Sequence, residues 1–251
     1  QFHRIFPVLF NYKNKYDFNK NNHFEFDLTI NDSENLLSII HPSLYVAPKT
    51  SFSGHYYEDS SFFLATLKSD SIFFDNLKSY GINCNQSVNK SDLSVSIKTN
   101  QSVYNDSLKF NQLLFSSIGK SNELESNISW ESKNTTSSLV KWSTSFIDET
   151  HYKMILDTSY FHVNSNKWHI ENQSEFTFNN DTIHIEKFLL TRNNQTISAD
   201  GYLSKKDKHK LKFNIQKLDI SELSKFISKV PLKGTFNSRG YISNPINNFA
   251  Y

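Results

Sequence analysis

The stretch that decides the fold begins at Phe178 and runs FNNDTIHIEKFLLTRNNQTISADGYLSKKDKHKLKFNIQKLDISEL. Ile183 and Ile185 alternate with polar neighbours. So do Ile197 and Ala199, and then Leu211, Phe213 and Ile215. Successive strand side chains point to opposite faces, so each burst reads as a half-buried strand. Arg192-Asn193-Asn194 and the lysine-rich stretch 205–210 read as hairpin connections. No cluster of catalytic residues accompanies the bursts; what they offer is an apolar face.

The same grammar extends in both directions. Phe24, Phe26, Leu28 and Ile30 form the first clear run. Phe63, Ala65 and Leu67 follow, then Ile72 and Phe74, then Leu93, Val95 and Ile97, then Leu108 and Phe110. Ile128 with Trp130, Trp142 with Phe146, Tyr152 with Met154 and Leu156, Trp168 with Ile170, and Phe176 with Phe178 continue the series. This predicts an all-β antiparallel meander of roughly a dozen strands of about seven residues. Glycine is scarce, at 6 residues, so the turns lean on Asn and Asp, which tolerate left-handed geometry. Two stretches leave the period. Asp32–Pro42 and Asp219–Pro231 each join a capping residue, apolar spacing of three and four, and a closing proline, which predicts two short helices. Each follows a strand and precedes a glycine, so repeat-like units are expected at about 24–80 and 168–251 within one elongated segment, 1–251.

Composition bounds what this face can be. Apolar residues make up 37% of the 251, against roughly 45–50% in an ordinary globular domain. With 22 Phe and 12 Tyr, much of that is ring surface. Such a chain can coat one face of a long sheet more readily than fill a thick two-sided core. A net charge of +2 argues against a nucleic-acid partner, which usually meets a basic stripe. The basic run 205–210 reads first as a solvated loop, and second as a contact for anionic lipid headgroups. Cys84 is alone, so no disulfide framework exists, and no apolar run is long enough to span a membrane as a helix. Nucleophile elbows, phosphate loops and metal-spaced Cys or His pairs are absent from the sequence. No catalytic residue, metal or cofactor is therefore expected. His162, His169 and His184 read as solvent-facing strand residues, and the three Trp as buried-face residues before a sugar-stacking platform.

The segment from Lys167-Trp168-His169-Ile170 to Gly240 resembles the periplasmic repeats of the TamB (translocation and assembly module) family, within the AsmA-like group. The resemblance lies in Phe176–Ile183, Ile197-Ser198-Ala199-Asp200-Gly201, Leu218–Leu223 and Pro231-Leu232-Lys233-Gly234. Leu36 to Pro42, Ser53-Gly54 and Leu64 to Ile72 are similar to the same pattern; the middle, about 80–165, is less diagnostic. The resemblance implies a sheet curled into a taco-like hydrophobic groove, in an internal segment of a longer protein. It implies a place in the periplasm of a diderm bacterium, with an inner-membrane anchor outside this segment. It also implies phospholipid movement to the outer membrane, beside a TamA-type outer-membrane barrel. The groove lining would be Phe24, Phe26, Leu28, Phe63, Leu67, Val95, Ile97, Phe110, Trp130, Trp142, Trp168, Phe176, Phe178, Ile183, Ile185, Ile197, Ala199, Phe213 and Ile215. A structural or adhesive β-solenoid, an assembly factor that conducts no lipid, and an enzyme or glycan-binding sandwich are the other readings.

Overall fold

The computed structural model describes residues 7–9, 23–32, 41–57, 62–131, 137–163, 166–204, 209–221 and 232–243. These carry one 3-10 turn, Pro7–Leu9, and seventeen strands whose pairings are all antiparallel. The chain divides into two compact units, Gln1–Thr135 and Thr136–Tyr251.

The first unit contains β1 (His23–Ile30), β2 (Leu44–Val46), β3 (Thr50–Tyr57), β4 (Phe62–Phe74), β5 (Leu77–Val88), β6 (Asp92–Tyr104), β7 (Leu108–Lys120) and β8 (Glu123–Glu131). From β3 onward each strand pairs with the next, while β1 pairs with β3 and β2 pairs with the far end of β4. The second unit contains β9 (Ser137–Phe146), β10 (His151–Leu156), β11 (Ser159–Val163), β12 (Asn166–Ile170), β13 (Ser174–Asn179), β14 (Thr182–Arg192), β15 (Gln195–Ser204), β16 (Lys210–Asp219) and β17 (Thr235–Ser243). Here β10 pairs with β9 and β13, and the small hairpin β11–β12 bridges β9 to β14. From β13 the strands run in simple order to β17.

Strand number and length both exceed the expectation of a dozen strands of seven residues: β4, β6 and β7 have 13 residues each. The extra length comes from a change of parity inside single strands. In β4 the apolar positions are odd at Phe63, Ala65 and Leu67 and even at Ile72 and Phe74. The change falls at Asp70. Pairing is interrupted there, and again at Gly81, Asn100 and Gln112, which lie in one cross-strand row of β4 to β7. Gly81 and Gln112 take φ of 60° and 47°. A Cβ on Gly81 would also run into the Asn100 side-chain amide. Because all four strands step together, register among them survives. It shifts only where they meet a strand without the step, as at Asn111/Leu114 against β8. Such bulges bend a strand and raise its local twist.

Hydroxyls line this crease. Thr50 and Ser69 lie 2.6 Å apart, while Ser102 lies 3.0 Å from both Ser79 and Thr99. Thr99 and Ser102 would point to opposite faces of a regular strand, so their contact marks the step directly. Thr50, Ser69, Thr99 and Ser102 are buried but satisfied by one another, which removes the cost of an unpaired polar group.

Both expected helices fall mainly on residues outside those described, 33–40 and 222–231. At the start of the second, the Ser221 N–H donates to Asp219 Oδ1 at 2.9 Å, and bonds from Ser221 hold the Asp219 carboxyl below its ordinary range.

Candidate functional site

Residues directly opposite in an antiparallel pair share a face, so the pairing assembles the apolar positions into rows. In the first unit one row reads Leu28, Phe52, Leu67, Cys84, Ile97, Phe115, Ile128 across seven strands. The row beside it reads Phe26, Gly54, Ala65, Gln86, Val95, Ser117, Ser126, and the next Phe24, Tyr56, Phe63, Val88, Leu93, Gly119, Leu124. In the row that begins with Phe26, the Phe26 ring lies over Gly54. Beyond the crease, Phe110 meets Trp130 edge to face at 5.6 Å, which keeps it on the same side. The other face is polar: Asp27, Ser53, Thr66, Asn85, Ser96, Ser116 and Asn127 form a complete row of it.

The second unit repeats the division. Phe146, Tyr152, Phe178, Ile183 and Leu203 form one row, with Tyr152 stacked on Phe178 at 4.5 Å. Met154, Phe176, Ile185, Gly201, Leu211 and Ile242 form the next. After a bulge in β14 come Phe188, Ala199, Phe213 and Gly240, then Leu190, Ile197, Ile215 and Ser238. Trp142 stands opposite Leu156, and Ile170, two residues after Trp168, stands opposite Leu190. Lys153, Thr177, His184 and Tyr202 occupy the reverse face. A cleft of about 760 Å³ lies over β14 to β17, lined by Phe188, Ala199 and Phe213 together with Lys187, Lys212 and Arg239.

Every residue expected on the apolar face thus lies in a strand, and within each unit the pairing gathers them on a common face. The sequence reading missed Phe52, Phe115, Phe188 and Leu190; the last three follow or abut parity steps. It also missed Val8 and Leu9, which pack on the first unit's apolar face. The face is incompletely covered: Phe24 and Leu28 are 61% and 54% exposed, and Phe52, Leu67, Ile97, Phe115 and Ile128 are half-buried. Burial among these side chains raises the Cys84 thiol pKa.

One expectation is corrected. His162 does not face solvent; it is buried, and its backbone N–H donates to the buried Ser138 Oγ at 2.9 Å. Its short hairpin lies against β9 rather than at a free surface. Trp168 is buried under the Arg192 guanidinium, 5.9 Å from the ring centroid, whereas Trp130 and Trp142 are half-buried. Among the described residues, no group of three His, Cys, Asp or Glu side chains could hold a metal ion, and no helix is long and apolar enough to cross a membrane. These features define a class: an all-β protein of long antiparallel strands, apolar on one face and polar on the other. No family model, characterised protein or solved structure matches the chain.

Proposed function

We propose that the apolar face is a track for phospholipid acyl chains, in a bridge that carries lipid between the inner and outer membranes of a diderm bacterium. The observation that carries this reading is the incomplete burial of the apolar face within each unit. A closed core would bury those rings; a track must leave them open to a second apolar body. Each methylene moved from water onto such a surface gains about 0.8 kcal/mol. One acyl chain thus gains on the order of 10 kcal/mol, and rows of Phe, Leu and Ile without fixed polar anchors let it slide between equivalent positions. Strands that bend at bulges suit a sheet curled lengthwise into a taco-like groove. The resemblance of 167–240 to TamB-type repeats supports the periplasmic setting, an inner-membrane anchor elsewhere in the protein, and a TamA-type barrel as partner.

The test is mass spectrometry of an organic extract of the purified protein, joined to thiol labelling of Cys84, which sits in the row between Leu67 and Ile97. Co-purified phospholipid, and labelling that slows when phosphatidylethanolamine vesicles are added, are the expected results. An extract without lipid, and labelling indifferent to vesicles, would favour a structural β-sheet or a glycan-binding role and sink the track.

A further inference from the structure

The turn Pro7–Leu9 lies on the face assigned above to lipid, and we infer that it is a displaceable occupant holding an acyl-chain subsite shut. The inference rests on that reading. Val8 and Leu9 are 2% and 6% exposed, among the most deeply buried apolar side chains described. Leu9 sits over the row Val88, Leu93, Gly119, Leu124: a Cβ on Gly119 would lie 3.0 Å from Leu9 Cδ2 and 3.1 Å from Leu93 Cβ. Glycine therefore leaves the notch into which the leucine fits, where any larger residue would push it out. The main chain is held as well, since the Asn122 N–H in the β7–β8 turn donates to the Val8 carbonyl at 2.9 Å.

The same row shows what this seat looks like without a cover. At its β1 end Phe24 is largely exposed, while at its β5–β6 end Val88 and Leu93 are buried. An acyl chain carries more methylenes than Val8 and Leu9 together and can follow the row further, so it gains more apolar contact than the turn gives up. The seat lies at the lateral limit of the rows, beside the turns 89–91 and 121–122, where a lipid entering from the side first meets the face.

The experiment locks the turn. Leu9→Cys with Gly119→Cys, in a Cys84→Ala background, places two thiols across the notch, and oxidation pins the turn to β7. Binding of an NBD-labelled palmitoyl phospholipid is titrated before and after oxidation. The locked form should bind at least about fivefold more weakly than the reduced form, with recovery on reduction, as expected when a competing closed state is made permanent. A second variant, Val8→Ser with Leu9→Ser, weakens the seat without a crosslink and should bind the probe several-fold more tightly than wild type. Equal binding by locked and reduced protein, or weaker binding by the double serine variant, would make the turn a fixed part of the fold and overturn the inference alone. Probe binding to none of the forms, wild type included, would overturn the lipid reading and this inference with it.

Discussion

The two units make the same one-faced sheet and break its regularity in different ways. In the first, β4 to β7 all step at the row Asp70, Gly81, Asn100, Gln112, so the strands change parity together and keep their partners. In the second, the interruptions are staggered. The stretches 157–158 and 171–173 separate β10 from β11 and β12 from β13, and single bulges in β14 and β16 shift those strands against neighbours that do not step. Each of those bulges centres on a lysine in the left-handed region, Lys187 at 59° and Lys217 at 51°. Each lysine N–H is taken by a side chain of the adjacent strand, Asp200 at 3.4 Å and Asn237 at 2.7 Å. An isolated bulge frees an N–H that must be satisfied locally.

The sharpest way to break the comparison is a charge on the apolar face of each unit. Val88 is 1% exposed, so Val88→Asp should cost more than about 4 kcal/mol and unfold the first unit. Phe178 is half-buried on a more open part of the second, and Phe178→Asp should cost about 2–3 kcal/mol, mostly lost ring packing. Circular dichroism on heating should show native strand content in Phe178→Asp and its loss in Val88→Asp. Equal unfolding of both would mean that the second unit's apolar face is sealed. Next in size is the crease. Gly81→Ala forces a left-handed alanine against the Asn100 amide and should cost about 2 kcal/mol. An unchanged denaturation midpoint would remove the crease as a source of strand curvature.

How much of this was legible beforehand turns on parity. Runs such as Ile183–Ile185 and Leu211–Ile215 announced strands and the face they share, and the expected lining residues do gather on one face in each unit. A parity step, however, looks like the end of one strand and the start of another. Phe63–Leu67 and Ile72–Phe74 read as two runs although both belong to β4. Periodicity reports which face a residue takes relative to its near neighbours, and a bulge resets that count without ending the pairing. The polar seam at Thr50, Ser69, Thr99 and Ser102 was invisible for a related reason: isolated Ser and Thr look like solvent positions until the step brings them together. The Leu9 seat gave one faint signal, a glycine at 119 inside a strand pattern, and no sequence spacing joins it to residue 9.

Smaller effects sharpen the staggered side of the comparison. Asn237→Ala leaves the Lys217 N–H without its cap and should cost about 1 kcal/mol. Lys187→Gly should be neutral or stabilise by about 0.5 kcal/mol, since relief of left-handed strain slightly exceeds the extra chain entropy of glycine. The exposed pair of Lys187 Nζ with Glu186, at 2.9 Å, adds little to be lost. Urea melts should therefore show a lower midpoint in Asn237→Ala and an unchanged or raised one in Lys187→Gly; a loss of stability in Lys187→Gly would mean that the bulge needs its side chain.

The smallest expected effect separates two turns of the same design. In the first unit Asn89 Oδ1 accepts the N–H groups of Ser91 and Asp92, each at 2.7 Å, and the Ser91 hydroxyl at 2.9 Å. In the second, Asp148 Oδ1 accepts the N–H groups of Thr150 and His151 at 2.7 and 2.9 Å and the Thr150 hydroxyl at 2.7 Å, while Oδ2 lies 2.6 Å from His151 Nδ1. The geometry is shared, but the acceptor is a neutral amide at Asn89 and a carboxylate at Asp148. Bonds from Thr150, and then from His151, hold the Asp148 carboxyl well below the ordinary carboxylate range. A carboxylate whose pKa falls on folding contributes stability above its unfolded value of about 4, and loses it as pH drops through the folded value. Asp148→Asn converts the second turn to the chemistry of the first. The wild type should melt slightly above this variant at neutral pH, by a margin that shrinks below about pH 4 and that salt reduces, because the site is exposed. A margin that stays constant down the acid range would show that the hydrogen-bond pattern alone, and not the charge, secures the turn.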